Sequence, residues 1–434
     1  MDTRYRITGG TPLRGEITIS GSKNAALPLI AASLLCEGET VLHNVPDLSD
    51  VRTMLRILDF LGAKTDFANG AVRIDARHAE SKEIQSDLVG KLRGSIVLLG
   101  PLLARFGVVR MAYPGGCVLG KRPVEAHISA FEQMGVENMS TDEFIHLQGT
   151  LKPGRVILPE FSVTATENVI LAAARLPGET RIDLAAGEPH VQVVERFVAA
   201  CGAEVTGIGS HQVIIKGRKN LQCIKERVIS DYLEAGGFVI AALVTGGKLT
   251  LHDVEEEHLL SFLAAVKRLG GKFEYQGSST ALPSSELRTG TAGGTLQIDG
   301  AGSNLVATRI QTNIFPGFPT DLQAPFGVAM TQAQGVSRIF ECLYEGRMAY
   351  LFELEKMGAH VEILNSHQAL IIGPTPLRGR AVASNDIRAG AAMVYAALAA
   401  EGETIISDVR YIERGYDRLE EKLRSVGANI EKIE

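Results

Sequence analysis

A chain of 434 residues, 45% hydrophobic and 22% charged, is long for one hydrophobic core and reads as about two large domains of a soluble α/β protein. The composition does not indicate disorder. The net charge of −6 and the lack of a Lys/Arg-rich segment argue against nucleic acid as the main partner, because a phosphate backbone needs a basic stripe.

The N-terminal Met1-Asp-Thr-Arg-Tyr-Arg-Ile has no apolar signal core, and no apolar run reaches the length of a membrane span, so neither export nor a membrane partner is expected. Next, Ser20-Gly-Ser-Lys23-Asn24-Ala-Ala-Leu-Pro28 reads as a turn feeding a helix around Ala25–Leu35. Lys23 and Asn24 then stand at a helix N-terminus that suits phosphate or carboxylate, the alternative being an N-cap with a solvated lysine. There is no Walker P-loop and no G-x-G-x-x-G, so no nucleotide cofactor is expected.

From Gly38 onward a pattern recurs: a turn glycine before a β-rich run, and a second glycine closing a helix-like run. The openers are Gly38, Gly107, Gly178, Gly247, Gly335 and Gly402; the closers are Gly62, Gly135, Gly202, Gly270, Gly358 and Gly427. Each closer is expected in the left-handed conformation just past its helix, so that each unit reads strand, helix, strand. Six such units divide naturally into two groups of three, with a cleft between two lobes. The first helix and the run Asp231–Val244 are the candidate places where the chain changes domain. The widest spacing, between Gly270 and Gly358, points to an insertion at Gln276–Gly294, whose small polar residues read as a loop.

Within the second unit, Tyr113-Pro-Gly-Gly-Cys-Val-Leu-Gly-Lys-Arg-Pro-Val-Glu-Ala-His127 sets Cys117 among hinge-capable Gly115, Gly116 and Gly120, with Lys121 and Arg122 beside it. Cations and a following helix N-terminus favour thiolate or an anionic ligand; the bland alternative is a surface turn with a free thiol. The five cysteines (Cys36, Cys117, Cys201, Cys223, Cys342) are scattered with no C-x-x-C pair, so a disulfide framework and a cysteine zinc site are not expected, and a reducing, cytoplasmic compartment fits. No H-E-x-x-H or similar histidine pattern occurs, and no metal is expected.

Further on, Phe318-Pro-Thr-Asp-Leu-Gln-Ala-Pro-Phe326 isolates Asp321 between prolines that stiffen its direction, which suits either a general base or an Asx-turn. Arg347, Arg388 and Arg414 each have an acidic neighbour (Glu345, Asp386, Glu413). They read as surface ion pairs, or as planar forks oriented by those acids that together hold a small dianion.

Taken together, Ser-Lys23-Asn24-Ala, Pro-Gly-Gly-Cys117-x-x-Gly-x-Arg122-Pro-Val, Phe-Pro-Thr-Asp321-Leu-Gln-Ala, Glu345-x-Arg347, Asp386-x-Arg388 and Arg414-Gly-Tyr resemble the UDP-N-acetylglucosamine enolpyruvyltransferase family over nearly the whole chain. The resemblance implies a two-domain inside-out α/β barrel of six strand-helix-strand repeats. One domain would span 22–230 and the other 1–21 plus 231–434. It implies transfer of the enolpyruvyl group of phosphoenolpyruvate to UDP-N-acetylglucosamine, with no cofactor. Cys117 would protonate the methylene carbon and Asp321 would be the base. Lys23, Arg122, Arg347, Arg388, with Asp386 beside it, and Arg414 would grip phosphoenolpyruvate. Asn24, Arg93, the run Arg122, Pro123, Val124, Glu125, Ala126, with Asp321 and Leu343, would face the acceptor. Three positions depart from the family pattern: Glu160 in Pro159-Glu160-Phe-Ser-Val-Thr164 where a lysine precedes Ser-Val-Gly, His190 in place of a glutamate, and Tyr232 in place of an arginine. The resemblance puts all three on the acceptor side or near the hinge, not among the phosphoenolpyruvate ligands, so a related enzyme using another nucleotide or nucleotide sugar is the alternative.

Overall fold

The computed structural model describes residues 3–115, 124–277 and 293–434. They form two compact units, one of residues 21–115 and 124–229 and the other of 3–20, 230–277 and 293–434. Each has its own buried apolar core. Cys117, Arg122 and Pro123, and most of the insertion expected at Gln276–Gly294, lie outside the described residues.

Alternation of buried and exposed positions along strands such as Lys248–Val254 and Gln212–Gly217 turns one face of each sheet toward helices. Six sheets form among the described residues, five of four strands and one of three. The five share one pairing pattern. Glu39–His43, for example, pairs in parallel with Lys225–Arg227 and antiparallel with Ala71–Asp75, whose far neighbour is Lys64–Ala68, again antiparallel. Lys248–Val254 does the same with Arg14–Thr18, Gly294–Asp299 and Lys272–Gln276. In the three-stranded sheet, Val108–Ala112, Phe144–Gln148 and Glu137–Asn138 keep the antiparallel part. A single parallel bridge from Ile84 to Met111 stands where the other sheets have an edge strand.

The helices fall into two kinds. Ser49–Phe60, Glu125–Gln133, Pro189–Ala200, Leu260–Leu269, Tyr350–Lys356 and Leu419–Ser425 each have one buried face and end just before a closing glycine. All six of those glycines have positive φ, between 86° and 116°. The residue after each glycine donates its N–H to the carbonyl five residues back: Ala63 to Leu58, Val136 to Phe131, Ala203 to Val198, Gly271 to Val266, Ala359 to Leu354, Ala428 to Leu423. This is the Schellman arrangement, which satisfies carbonyls the helix end would otherwise leave open.

The second kind is apolar nearly all round and therefore central. Lys23–Ala32, Leu99–Phe106 and Val163–Ala174 lie buried in one unit. In the other, Tyr232–Thr245, Gln323–Thr331 and Ile387–Ala399 pack against one another. Glycine permits the closest approach there: a Cβ on Gly237 would strike the Tyr395 hydroxyl. No helix among the described residues is long and apolar enough to cross a membrane.

Candidate active site

In each unit, some of the chemistry-bearing side chains stand at the N-terminal ends of buried helices: Lys23 in one, Asp321 and Arg388 in the other. In the unit of residues 21–229, Ser22 is the extended N-cap residue of Lys23–Ala32, with its N–H on the Ile229 carbonyl at 2.8 Å. Lys23 thereby opens the helix as a buried cation, its Nζ 3.3 Å from Asp50 Oδ2. Asn24 follows, partly buried. Burying a cation requires a counter-charge, and Asp50 supplies one. Arg93 begins the 3₁₀ stretch Arg93–Leu98 that leads into Leu99–Phe106.

Val124 and Ala126 are buried and Glu125 is exposed, at the start of Glu125–Gln133. Next along, His127 is buried, and Asn168 sets its tautomer. The Asn168 oxygen accepts the Gly100 N–H at 2.6 Å, so its amide nitrogen donates to Ile96 O at 2.9 Å and to His127 Nδ1 at 2.9 Å. His127 Nε2 then carries the hydrogen and donates to Thr164 Oγ1 at 3.1 Å. Burial, and secondarily Arg93, pushes the imidazole down to about 3, so it is neutral at physiological pH. Glu167, on the same helix as Asn168, is held well above the usual carboxylate range by burial and by Glu188.

In the other unit, Asp321 sits in the 3₁₀ turn Thr320–Leu322 that leads into Gln323–Thr331. Arg347 Nη2 donates to Asp321 Oδ1, and Arg388 Nε donates to Oδ2 at 3.0 Å. Burial alone would raise the carboxyl. The two guanidinium groups, Arg347 first, outweigh it and hold Asp321 well below the usual range. The Arg388 guanidinium lies 5.2 Å from the Tyr416 ring centroid, and that of Arg347 lies 5.4 Å from the Tyr344 ring centroid. Arg414 ends the 3₁₀ stretch Val409–Arg414, partly buried, and Leu343 is exposed.

The family model of EPSP synthase (3-phosphoshikimate 1-carboxyvinyltransferase) matches residues 7–423. The UDP-N-acetylglucosamine 1-carboxyvinyltransferase of Methylacidiphilum infernorum is 42% identical over 440 residues, covering 99% of each chain. The chain belongs to the UDP-N-acetylglucosamine 1-carboxyvinyltransferase family. The Klebsiella pneumoniae member is 38% identical, again with 99% of each chain covered. Among solved structures, the enolpyruvyl transferase NikO from Streptomyces tendae superposes with a TM-score of 0.87 at 22% identity and 99% coverage of both chains. EPSP synthase from Acinetobacter baumannii gives 0.77 at 20% identity, with 100% of both covered. The mixed α/β architecture is thus that of EPSP synthase and enolpyruvyl transferase structures.

In this member of the UDP-N-acetylglucosamine 1-carboxyvinyltransferase family, Arg347 and Arg388 are oriented by Asp321 and not by the acids beside them in sequence. Glu345 is exposed, 3.8 Å from His367 Nε2, and Glu413 pairs with Lys432 at 2.6 Å. Asp386 spends its Oδ1 on the N–H groups of Arg388 and Ala389, at 2.7 and 2.9 Å, as the N-cap of Ile387–Ala399. Asp321 is the carboxylate that orients both Arg347 and Arg388. A neighbour in sequence loses here because a helix start demands a cap, which turns Asp386 toward the backbone. No local signal marks Asp50, Asn168 or Glu341, whose partners Lys23, His127, Thr312 and Thr320 lie 21 to 41 positions away, although Glu341 also takes the nearby N–H groups of Leu343 and Tyr344. The Thr164 hydroxyl takes the hydrogen bond of His127. Of the three departures from the family pattern, Glu160 is exposed, His190 is buried in Pro189–Ala200, and Tyr232 is buried edge-on to His258. Among the described residues no group of three or more His, Cys, Asp or Glu side chains could hold a metal ion.

Proposed function

We propose that this protein transfers the enolpyruvyl group of phosphoenolpyruvate to the 3-hydroxyl of UDP-N-acetylglucosamine with release of phosphate, the first committed step of peptidoglycan precursor synthesis, in the cytoplasm. The observation that carries it is the 42% identity, end to end, with a relative of that name. A different nucleotide acceptor is not favoured by that identity. The fold is read as the six-unit inside-out barrel, with one domain of 22–230 and the other of 1–21 plus 231–434.

The reaction is an addition followed by an elimination. Acceptor oxygen bonds to C2 of phosphoenolpyruvate while Cys117 gives a proton to C3. Phosphate then leaves from C2 as C3 returns a proton, restoring the double bond. Lys23, Arg122, Arg347, Arg388 and Arg414 are assigned to the carboxylate and phosphate, because protonating C3 builds positive character at C2 beside two anionic groups that must be held still. Asn24, Arg93, Pro123, Val124, Glu125, Ala126 and Leu343 are assigned to the acceptor, and Asp386 to capping the helix that presents Arg388. Asp321 takes the acceptor proton. A carboxylate gripped by two guanidinium groups is a weak base, but those are the groups assigned to phosphoenolpyruvate, so a bound dianion competes for them and returns basicity to Asp321.

The test is phosphate release from phosphoenolpyruvate with UDP-N-acetylglucosamine and a panel of other nucleotides. Turnover only with another acceptor would overturn the assignment, and Glu160 would then be the first residue to exchange for lysine. Cys117→Ala is expected to abolish turnover and keep ligand binding. Fosfomycin, an epoxide, is expected to add its mass at Cys117 and nowhere else.

A further inference from the structure

Just past the C-terminal end of the strand Gly335–Phe340 lies Glu341, fully buried and absent from every role assigned above. Its side chain accepts four hydrogen bonds from three segments. Thr312 Oγ1 and the N–H groups of Leu343 and Tyr344 donate to Oε1 at 2.9, 2.9 and 3.2 Å, and Thr320 Oγ1 donates to Oε2 at 2.8 Å. Thr312 in turn accepts the Cys342 N–H at 2.8 Å. Three of these contacts lead to residues assigned to substrate: Thr320 precedes Asp321, Leu343 is on the acceptor list, and the Tyr344 ring underlies Arg347.

We propose that Glu341 is a positioning residue for enolpyruvyl transfer, one buried carboxylate that sets the Asp321 turn and the Leu343–Arg347 segment in register with each other. This rests on the function proposed above. A buried carboxyl group keeps its place only with its oxygens hydrogen-bonded. Here Thr312 anchors it to the sheet, while the other donors belong to the two segments that carry the base and its guanidinium partner. A displacement of either by about 1 Å is worth on the order of 100-fold in rate.

The experiment compares kcat, KM and melting temperature for wild type, Glu341→Gln, Glu341→Ala, Thr320→Val and Thr320→Ser, using phosphoenolpyruvate and UDP-N-acetylglucosamine. Glu341→Ala is expected to lose about 100-fold in kcat, and Glu341→Gln, which keeps an acceptor for the Leu343 and Tyr344 N–H groups, to recover most of it. Thr320→Val cuts only the link to the Asp321 turn. It should lower kcat about 10-fold with KM for phosphoenolpyruvate and melting temperature near wild type, and Thr320→Ser should restore the rate. A wild-type kcat for Thr320→Val, or a Glu341→Ala protein that melts early but turns over normally, would overturn the positioning role while leaving the function intact. Absence of turnover by the wild type would remove the function and this role with it. If Glu341→Ala does not fold, the Thr320 pair decides.

Discussion

Asp321 and His127 are both set by what surrounds them, in opposite ways. Two guanidinium groups keep Asp321 charged, while burial keeps His127 neutral between Asn168 and Thr164. The histidine has a measurable consequence. In the unfolded chain it takes up a proton near its ordinary 6.5, but in the folded protein only near 3. Between those values the unfolded state binds more protons, so the stability that neutral His127 contributes is whole above about pH 6.5 and is lost as pH falls toward 3. Thermal melts from pH 7.5 to pH 4 should show this decline, and His127→Gln, which can donate to Thr164 and accept from Asn168, should flatten it. An unchanged slope in the variant would assign the acid sensitivity to other groups. Reactive residue types such as Lys23 and Asp321 were legible in the sequence because their neighbours are distinctive. Their pairings with Asp50 and Arg388 were not, since contacts across 27 and 67 positions leave no local trace.

At the scale of elements, the closing glycines were the most legible feature, because a helix end that needs positive φ leaves little choice of residue. Their contexts differ enough to test. A Cβ on Gly202, at φ 116°, meets nothing within 4 Å, so Gly202→Ala should cost only the backbone strain, about 1 kcal/mol. At Gly270, φ 92°, the same atom would also run into the Asn304 carbonyl, and Gly270→Ala should cost more. Denaturant midpoints at constant slope measure both; equal losses would mean that the Asn304 segment yields freely. The buried helices were less legible. In Gln323–Thr331 or Tyr232–Thr245 apolar residues run all round, so no stripe says which face meets which neighbour.

For the whole molecule, two separate apolar cores predict two unfolding events. Calorimetry should give a van't Hoff enthalpy well below the calorimetric one, and a single transition with equal enthalpies would mean that the units unfold together. Length and six glycine pairs, with one wide gap between Gly270 and Gly358, were what suggested two lobes in the sequence. Membership of the family was carried by short motifs around Lys23, Cys117, Asp321 and the arginines, each dictated by local chemistry: a helix start, a glycine-flanked thiol, a proline-stiffened turn. What those motifs bind to was decided by tertiary structure alone. Sequence adjacency offered Glu345, Asp386 and Glu413 as partners for the arginines, whereas the fold gave Arg347 and Arg388 to Asp321 and left Asp386 to cap a helix. Glu341 had no motif at all. Its role arises from three segments meeting at the end of a strand, and a buried acceptor becomes a clamp only once its donors have been folded around it.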